Sequence, residues 1–168
     1  RQGWGITYQS GGLFSAMTLA ENITLPLELY TSYTPAEITD IVAYKLALVG
    51  LAGYQSYYPS EISGGMQKRA ALARAIALDP KILFFDEPSA GLDPISSRLL
   101  DELIVQIKES MGATVVMVTH ELPSIFAIAT NSVYLDNITR TMIAYGNPAD
   151  LRDHSPQPVV RQFLTRSA

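Results

Sequence analysis

The sequence predicts an α/β fold built on a parallel sheet. Ile82-Leu83-Phe84-Phe85 is a short apolar run bounded by turn residues, the pattern of a strand buried on both faces. Thr114–Val118 is a second, β-branched run. Between them, residues 95–111 carry a helical period that Gly112 stops, and strand, helix, strand is a βαβ unit whose strands run parallel. At 168 residues, 48% hydrophobic and 17% charged, the chain can bury the core that one globular unit needs.

The other elements follow in order. Residues 4–8 alternate bulky and small side chains and run into Gln9-Ser10-Gly11-Gly12, which reads as a strand and a loop. Residues 18–29 suit a short helix that ends or bends at Pro26. Thr34 is an N-cap, Pro35 fills the first helical position and Glu37 closes a capping box, with Ile38, Ile41, Val42 and Leu46 in helical period up to Gly50. A charge-free loop carrying Tyr54, Tyr57 and Tyr58 leads to Ser63, which caps a helix through the Ala-rich stretch to Leu78. Downstream, residues 121–129 read as a helix, 132–135 and 141–145 as short strands, and two helices flank Ser155-Pro156-Gln157-Pro158. Residues 1–8 look like a strand entered partway through a domain, with neither an initiator Met nor a signal-peptide pattern, so the sequence is expected to be truncated.

Composition excludes several classes. The formal net charge is -4, and neither the 12 Lys and Arg nor the 16 Asp and Glu form a single-sign block, so nucleic acid is not an expected partner. Without cysteine there is no disulfide partner, which fits a reducing cytosol. The charge-free stretches 46–60 and 122–135 are too short and polar for a membrane span of about 20 apolar residues.

The strongest chemical feature is the apolar strand ending in Asp86 and Glu87. Consecutive side chains at a strand end point in different directions, so one carboxylate can hold hydrated Mg2+ while the other orients water. The same residues suit a solvated acidic turn before Pro88. Ser63, Gly64 and Gly65 open a helix with exposed N–H groups, an anion site or an ordinary capped start. Gln67, Lys68 and Arg69 add positive charge near that end, although on a helix such residues are usually solvated. His120 follows a strand and suits either phosphate contact or a structural role. Gln9 also follows a strand, where its amide can reach a metal ion or water, or simply serve the turn. Asp93 can cap the next helix, and His154 reads as surface.

Taken in order, Gln9, Ile62-Ser63-Gly64-Gly65-Met66, Ile82 to Glu87, Ala90-Gly91-Leu92-Asp93 and His120 resemble the Q-loop, signature, Walker B, D-loop and H-loop of ABC ATPases. Within that superfamily, Tyr8-Gln9-Ser10-Gly11-Gly12-Leu13-Phe14-Ser15-Ala16-Met17-Thr18 followed by Ala20-Glu21-Asn22-Ile23 looks most like the Mla and Mce-associated lipid-transport ATPases, as does Met66 in the signature. The resemblance implies an incomplete P-loop NTPase fold, a parallel-sheet catalytic core with an inserted helical subdomain. Residues 1–168 would form one partial domain, with the Q-loop and helical subdomain at 11–78, the catalytic core at 79–146 and a C-terminal tail at 147–168. It further implies an ATP-hydrolysing subunit at the cytoplasmic face of the inner membrane, driving phospholipid transport through a separate integral-membrane permease.

By the same resemblance, Asp86 and Gln9 would attend Mg2+, Glu87 would act on the attacking water, and Gln9 and His120 would sense the γ-phosphate of ATP. Ser63, Gly64 and Gly65 would bind ATP held by a second ATPase subunit in a head-to-tail dimer, with Asp93 at the seam. The tyrosines Tyr30, Tyr33, Tyr44, Tyr54, Tyr57 and Tyr58 suit either the permease contact or core and loop positions. One part is missing: the sequence contains no G-x-x-x-x-G-K-[ST], which the family places ahead of the residue numbered 1 here, together with an aromatic that stacks on adenine. Micromolar ATP binding corresponds to about 8 kcal/mol. Each charge-assisted hydrogen bond of such a loop is worth roughly 1.5–3 kcal/mol, so this polypeptide alone is expected neither to bind ATP tightly nor to hydrolyse it. Two other readings stand beside the transporter: a non-transport ABC ATPase, which needs a coiled-coil insertion or basic surface absent from this sequence, and a non-catalytic interaction remnant.

Overall fold

The computed structural model describes residues 3–166 and divides the chain into two compact units, Arg1–Thr119 and His120–Ala168. In the first unit the elements are β1 (Trp4–Thr7), α1 (Leu19–Tyr30), α2 (Pro35–Leu48), a short 3-10 helix (Pro59–Glu61), α3 (Gly64–Ala75), β2 (Ile82–Asp86), α4 (Pro94–Met111) and β3 (Thr114–Val118). The three strands form one parallel sheet in the order β1-β2-β3. The expected βαβ unit is β2, α4 and β3.

Register decides which side chains share a face. Gly5, Leu83 and Val115 stand in one row and Thr7, Phe85 and Met117 in another, all on the same side. Leu83 and Phe85 are buried there in a cluster that includes Leu72 and Ile76 at the end of α3 and Leu100 and Ile104 of α4. At Gly5 the approach is so close that a Cβ would lie 2.2 Å from the carbonyl oxygen of Ala75, so the end of α3 packs on bare β1 backbone. The opposite face is open: Trp4 is 65% and Val118 63% exposed, and Trp4 lies edge-on to the half-buried Phe84 at 6.1 Å. The expectation that β2 is buried on both faces is therefore corrected. Alternation sends Leu83 and Phe85 to the helices, and it sends Ile82 and Phe84 to the open side.

The helix boundaries follow local chemistry. Thr18 and Thr34 each accept from the backbone N–H three residues on, at Glu21 and Glu37, while those glutamates accept from the cap N–H groups at 2.7 Å. Here the sequence expectation for α2 holds. α1 covers nearly all of the expected residues 18–29, but Pro26 does not end it: the helix continues to Tyr30. A proline in a helix interior costs about 3 kcal/mol. Leu19, Ile23 and Leu27 are buried on both sides of it, and each fully buried aliphatic side chain contributes about 1.5–3 kcal/mol, so burial wins. Lys45 of α2 is buried and reaches Asp79 at 2.5 Å, linking α2 to the turn before β2.

The second unit contains α5 (Leu122–Ile128), β4 (Ser132–Asp136), β5 (Thr141–Gly146), α6 (Pro148–His154) and α7 (Pro158–Thr165). β4 and β5 pair antiparallel with an irregularity at Tyr134/Leu135. Leu122, Val160 and Leu164 form its small core, beside an edge-to-face contact of Tyr134 with Phe163. Among the described residues no helix is long and apolar enough to cross a membrane.

Candidate functional site

Parallel strands deliver their carboxyl ends to one edge, and the register aligns Thr7 with Phe85 and Asp86 with Val118. Gln9, Asp86, Glu87 and Thr119 accordingly leave the first unit's sheet at the same edge. Asp86 is still a strand residue and is exposed. Glu87 turns out of the strand with φ +45°, a left-handed conformation that costs a residue with a Cβ about 1–2 kcal/mol. Its N–H donates to Val118 O at 2.9 Å, and the Thr119 hydroxyl donates to its Oε2 at 3.2 Å. The adjacent acids are thus separated by backbone conformation. An exposed lone carboxylate such as Asp86 fits Mg2+, which keeps most of its waters and takes one or two protein carboxylates. Among the described residues no cluster of three or more His, Asp or Glu forms a dedicated metal cage.

Gln9 is exposed at the start of a loop that side chains from two helices anchor. Asn22 of α1, fully buried, accepts from Phe14 N–H at 2.8 Å and donates to the carbonyls of Phe14, Met17 and Thr18. From α3, Lys68 donates to the carbonyl of Gln9, and Arg74 Nη1 donates to that of Gly12 at 2.6 Å while its guanidinium lies over the Phe14 ring. Burial pushes the Lys68 ammonium below its usual range, and the Glu87 carboxylate acts in the opposite sense. Burial likewise lowers Arg74. Lys68 is therefore half-buried and bonded to the Gln9 loop rather than pointing freely into solvent. Neither Asn22, Arg74 nor Thr119 stands out in the sequence as a site residue, and the bond from Lys68 to Gln9 is hidden there because it spans 59 residues.

Ser63 caps α3, its Oγ accepting from Met66 N–H at 3.3 Å. Gly64 and Gly65 form its first turn, and nothing in the fold demands glycine at either place. A Cβ at Gly64 would meet nothing within 4 Å, and one at Gly65 would meet only Leu92 at 4.0 Å. Glycine weakens a helix by up to about 1 kcal/mol relative to alanine, and at these positions no Cβ shields the N-terminal N–H groups. Asp93 is the cap of α4, accepting from Ile95 and Ser96 N–H at 3.0 Å, and those bonds hold its carboxyl below the usual range. The capping role considered for Asp93 is thus realised. His120 opens the second unit, exposed, with Nε2 3.7 Å from Glu121 Oε1. His154, at the end of α6, is exposed as expected. The tyrosines of the first unit are not core: Tyr30, Tyr44 and Tyr57 are 51%, 60% and 41% exposed.

Comparison with known proteins places these features in context. Residues 1–90 match the family model described as "ABC transporter". The chain is 44% identical over 161 residues to the probable ribonucleotide transport ATP-binding protein mkl of Mycobacterium tuberculosis, covering 96% of this chain and 44% of that protein. It is 40% identical over 164 residues to the intermembrane phospholipid transport system ATP-binding protein MlaF of Escherichia coli, covering 98% and 60%. The methionine import ATP-binding protein MetN of Bradyrhizobium diazoefficiens is 38% identical over 160 residues, covering 95% and 45%. Among solved structures, the ATP-binding cassette MJ0796, a dimer in a post-hydrolysis state bound to ADP and Pi, superimposes with a TM-score of 0.76 at 27% identity, over 87% of this chain and 63% of that one. The chain spans about half the length of the curated relatives it matches.

Proposed function

Since this chain belongs to the ABC transporter ATP-binding family and has its α/β P-loop NTPase fold, we propose that it is the phosphate-sensing, partner-facing part of a subunit that hydrolyses ATP to drive lipid transport through a separate permease. The observation that carries the reading is the sheet edge where Gln9, Asp86 and Glu87 emerge together, with Glu87 turned out of the strand and hydrogen-bonded by Thr119. There Asp86, with Gln9, would hold Mg2+. Glu87 orients and polarises the water that attacks the γ-phosphorus, and Gln9 responds to the γ-phosphate, a role that the motif resemblance also gives His120. Hydrolysis breaks the bond between the β,γ-bridging oxygen and the γ-phosphorus, leaving ADP and inorganic phosphate.

Ser63, Gly64 and Gly65 face ATP held by the second subunit of a head-to-tail dimer, with Asp93 at the seam. The dimeric state of the MJ0796 cassette supports this arrangement, as do glycines that the fold of this chain does not itself require. Residues 11–78 would be the helical subdomain, 79–146 the catalytic core and 147–168 the tail. Exposed Phe14 and Tyr57 suit a contact with a permease, which would hold the subunit at the cytoplasmic face of the inner membrane.

The lipid cargo rests on the run from Tyr8 to Ile23 and on the relative MlaF. A small-solute cargo is the second reading, favoured by the similarity to the methionine import protein MetN. Because the sequence contains no G-x-x-x-x-G-K-[ST], this polypeptide by itself neither grips ATP tightly nor turns it over, and the complete subunit does both. The test is Mg2+-dependent ATP hydrolysis by both. In the complete subunit Glu87→Gln keeps ATP binding and stops turnover. Normal turnover by that variant removes Glu87 from its role, and turnover by this polypeptide alone overturns the division of labour. Transfer of phospholipid between vesicles by the subunit with its permease decides the cargo, and transfer of a small solute instead supports the second reading.

A further inference from the structure

Lys68 stands where three segments of the first unit meet. Its Nζ donates to the backbone carbonyl of Gln9. Its side chain lines a small cavity with Thr7 and Gly11 from the β1 end and loop, and with Phe85 and Pro88 on either side of Asp86 and Glu87. The helix that carries it forms a continuous seat for the loop. Lys68 bonds Gln9, Ala71 Cβ lies 3.6 Å from where a side chain on Gly11 would begin, and Arg74 bonds Gly12. These three residues are spaced by three along α3 and so share one side of it. A carbonyl dipole and a carboxylate both attract an ammonium, and the field of Glu87 opposes the cost of burying this one.

We propose that Lys68 is a positioning residue that holds Gln9 in place relative to Glu87, so that a displacement of α3 at its Ser63 to Gly65 end reaches Gln9 through the Lys68 side chain. The proposal rests on the reading of Gln9 and Glu87 as groups that face ATP. It adds a mechanical link within one subunit: the helix offered to the partner's nucleotide also grips the loop that senses the subunit's own. A neutral side chain of similar length, such as methionine, fills the same space but neither bonds Gln9 nor attracts the Glu87 carboxylate.

Two measurements test it, one independent of catalysis. The Gly11 amide donates to Tyr8 O at 2.7 Å and reports loop order by hydrogen exchange in this polypeptide. Lys68→Met is expected to speed Gly11 exchange by about tenfold while the amide of Ile104 in α4 is unchanged, and Lys68→Arg to restore most of the protection. Exchange at Gly11 that stays at the wild-type rate in Lys68→Met overturns the proposal. If that variant fails to fold, Lys68→Gln, which keeps a donor without the charge, decides the point by the same measurement. In the complete subunit, Lys68→Met is expected to lower kcat roughly 10- to 100-fold with KM for ATP nearly constant, and Lys68→Arg to recover it. Wild-type kcat in Lys68→Met overturns the positioning role. Absence of Glu87-dependent turnover in the wild-type subunit instead overturns the ATP reading, and the exchange result then stands by itself as evidence of the link.

Discussion

The hydroxyl of Thr119, the last residue of the first unit, donates to Glu87 Oε2 at 3.2 Å, tying the residue after β3 to the residue after β2. A carboxylate meant to orient water must be held in one rotamer, and Glu87 is half-buried on a backbone that is already constrained. Replacing Thr119 by valine keeps the shape and deletes the donor. Loss of a hydrogen bond to a charged group is worth about 1.5–3 kcal/mol. We expect kcat of the complete subunit to fall roughly tenfold or more with ATP affinity nearly unchanged, and Thr119→Ser to recover it. Steady-state kinetics of the two variants beside equilibrium ATP binding check this.

Two glycines should respond oppositely to alanine. At Gly5 the added methyl would meet Ala75 O at 2.2 Å, and overpacking of this kind costs about 1–3 kcal/mol. At Gly64 it meets nothing, and alanine is the better helix former by up to about 1 kcal/mol. Denaturant unfolding should therefore show Gly5→Ala destabilised and Gly64→Ala unchanged or slightly stabilised. In the complete subunit, Gly64→Ala should nonetheless reduce turnover. Undiminished turnover would argue that these N–H groups meet no nucleotide.

Lys45 and Asp79 are unequal partners, with side chains 4% and 74% exposed. Removing the acid leaves a buried ammonium unpaired, a change that costs about 3–5 kcal/mol when both partners are buried and less here because Asp79 is solvated. Asparagine tolerates the left-handed backbone of Asp79, at φ +49°, so Asp79→Asn isolates the charge. We expect it to be more destabilising than Lys45→Met, which removes the buried charge itself. Urea unfolding midpoints of the two variants should fall in that order.

The capping boxes make α1 and α2 acid-sensitive. Bonds from Thr34, backbone first and then side chain, hold Glu37 below the ordinary glutamate value near 4.5, and Thr18 does the same for Glu21. A carboxyl whose folded pKa is depressed contributes stability that is present above its unfolded value and lost as pH falls through the folded one. Helicity followed by circular dichroism should therefore decline as pH drops below about 4.5. The Glu21→Gln, Glu37→Gln double variant should show a shallower decline. An identical acid profile in both proteins would mean that the caps do not govern it.

Features with short-range causes were readable in advance. The box at Thr34 and Glu37, the Asp93 cap and the Gly112 stop each depend on hydrogen bonds or backbone angles within a few residues, so letters alone carry them. The motifs from Gln9 to His120 are likewise readable as an order of letters, and that order identifies the family. That α1 does not end at Pro26 is not legible locally, because the burial of Leu19, Ile23 and Leu27 outweighs the local penalty. An apolar run cannot tell one buried face from two, since Ile82 and Phe84 are as hydrophobic as their buried neighbours.

The amino-acid order by itself determined which chemical groups this protein has and on which kind of element each sits. Tertiary structure alone decided how tightly they are held. It seated the Gln9 loop on Lys68 and Arg74, placed Asn22 inside that loop, and set Thr119 against Glu87. The physical reason is distance along the chain: a side chain that bonds a carbonyl 59 or 62 residues away leaves no periodic trace in the sequence, and only the packing of α3 against β1 and its loop brings the two together.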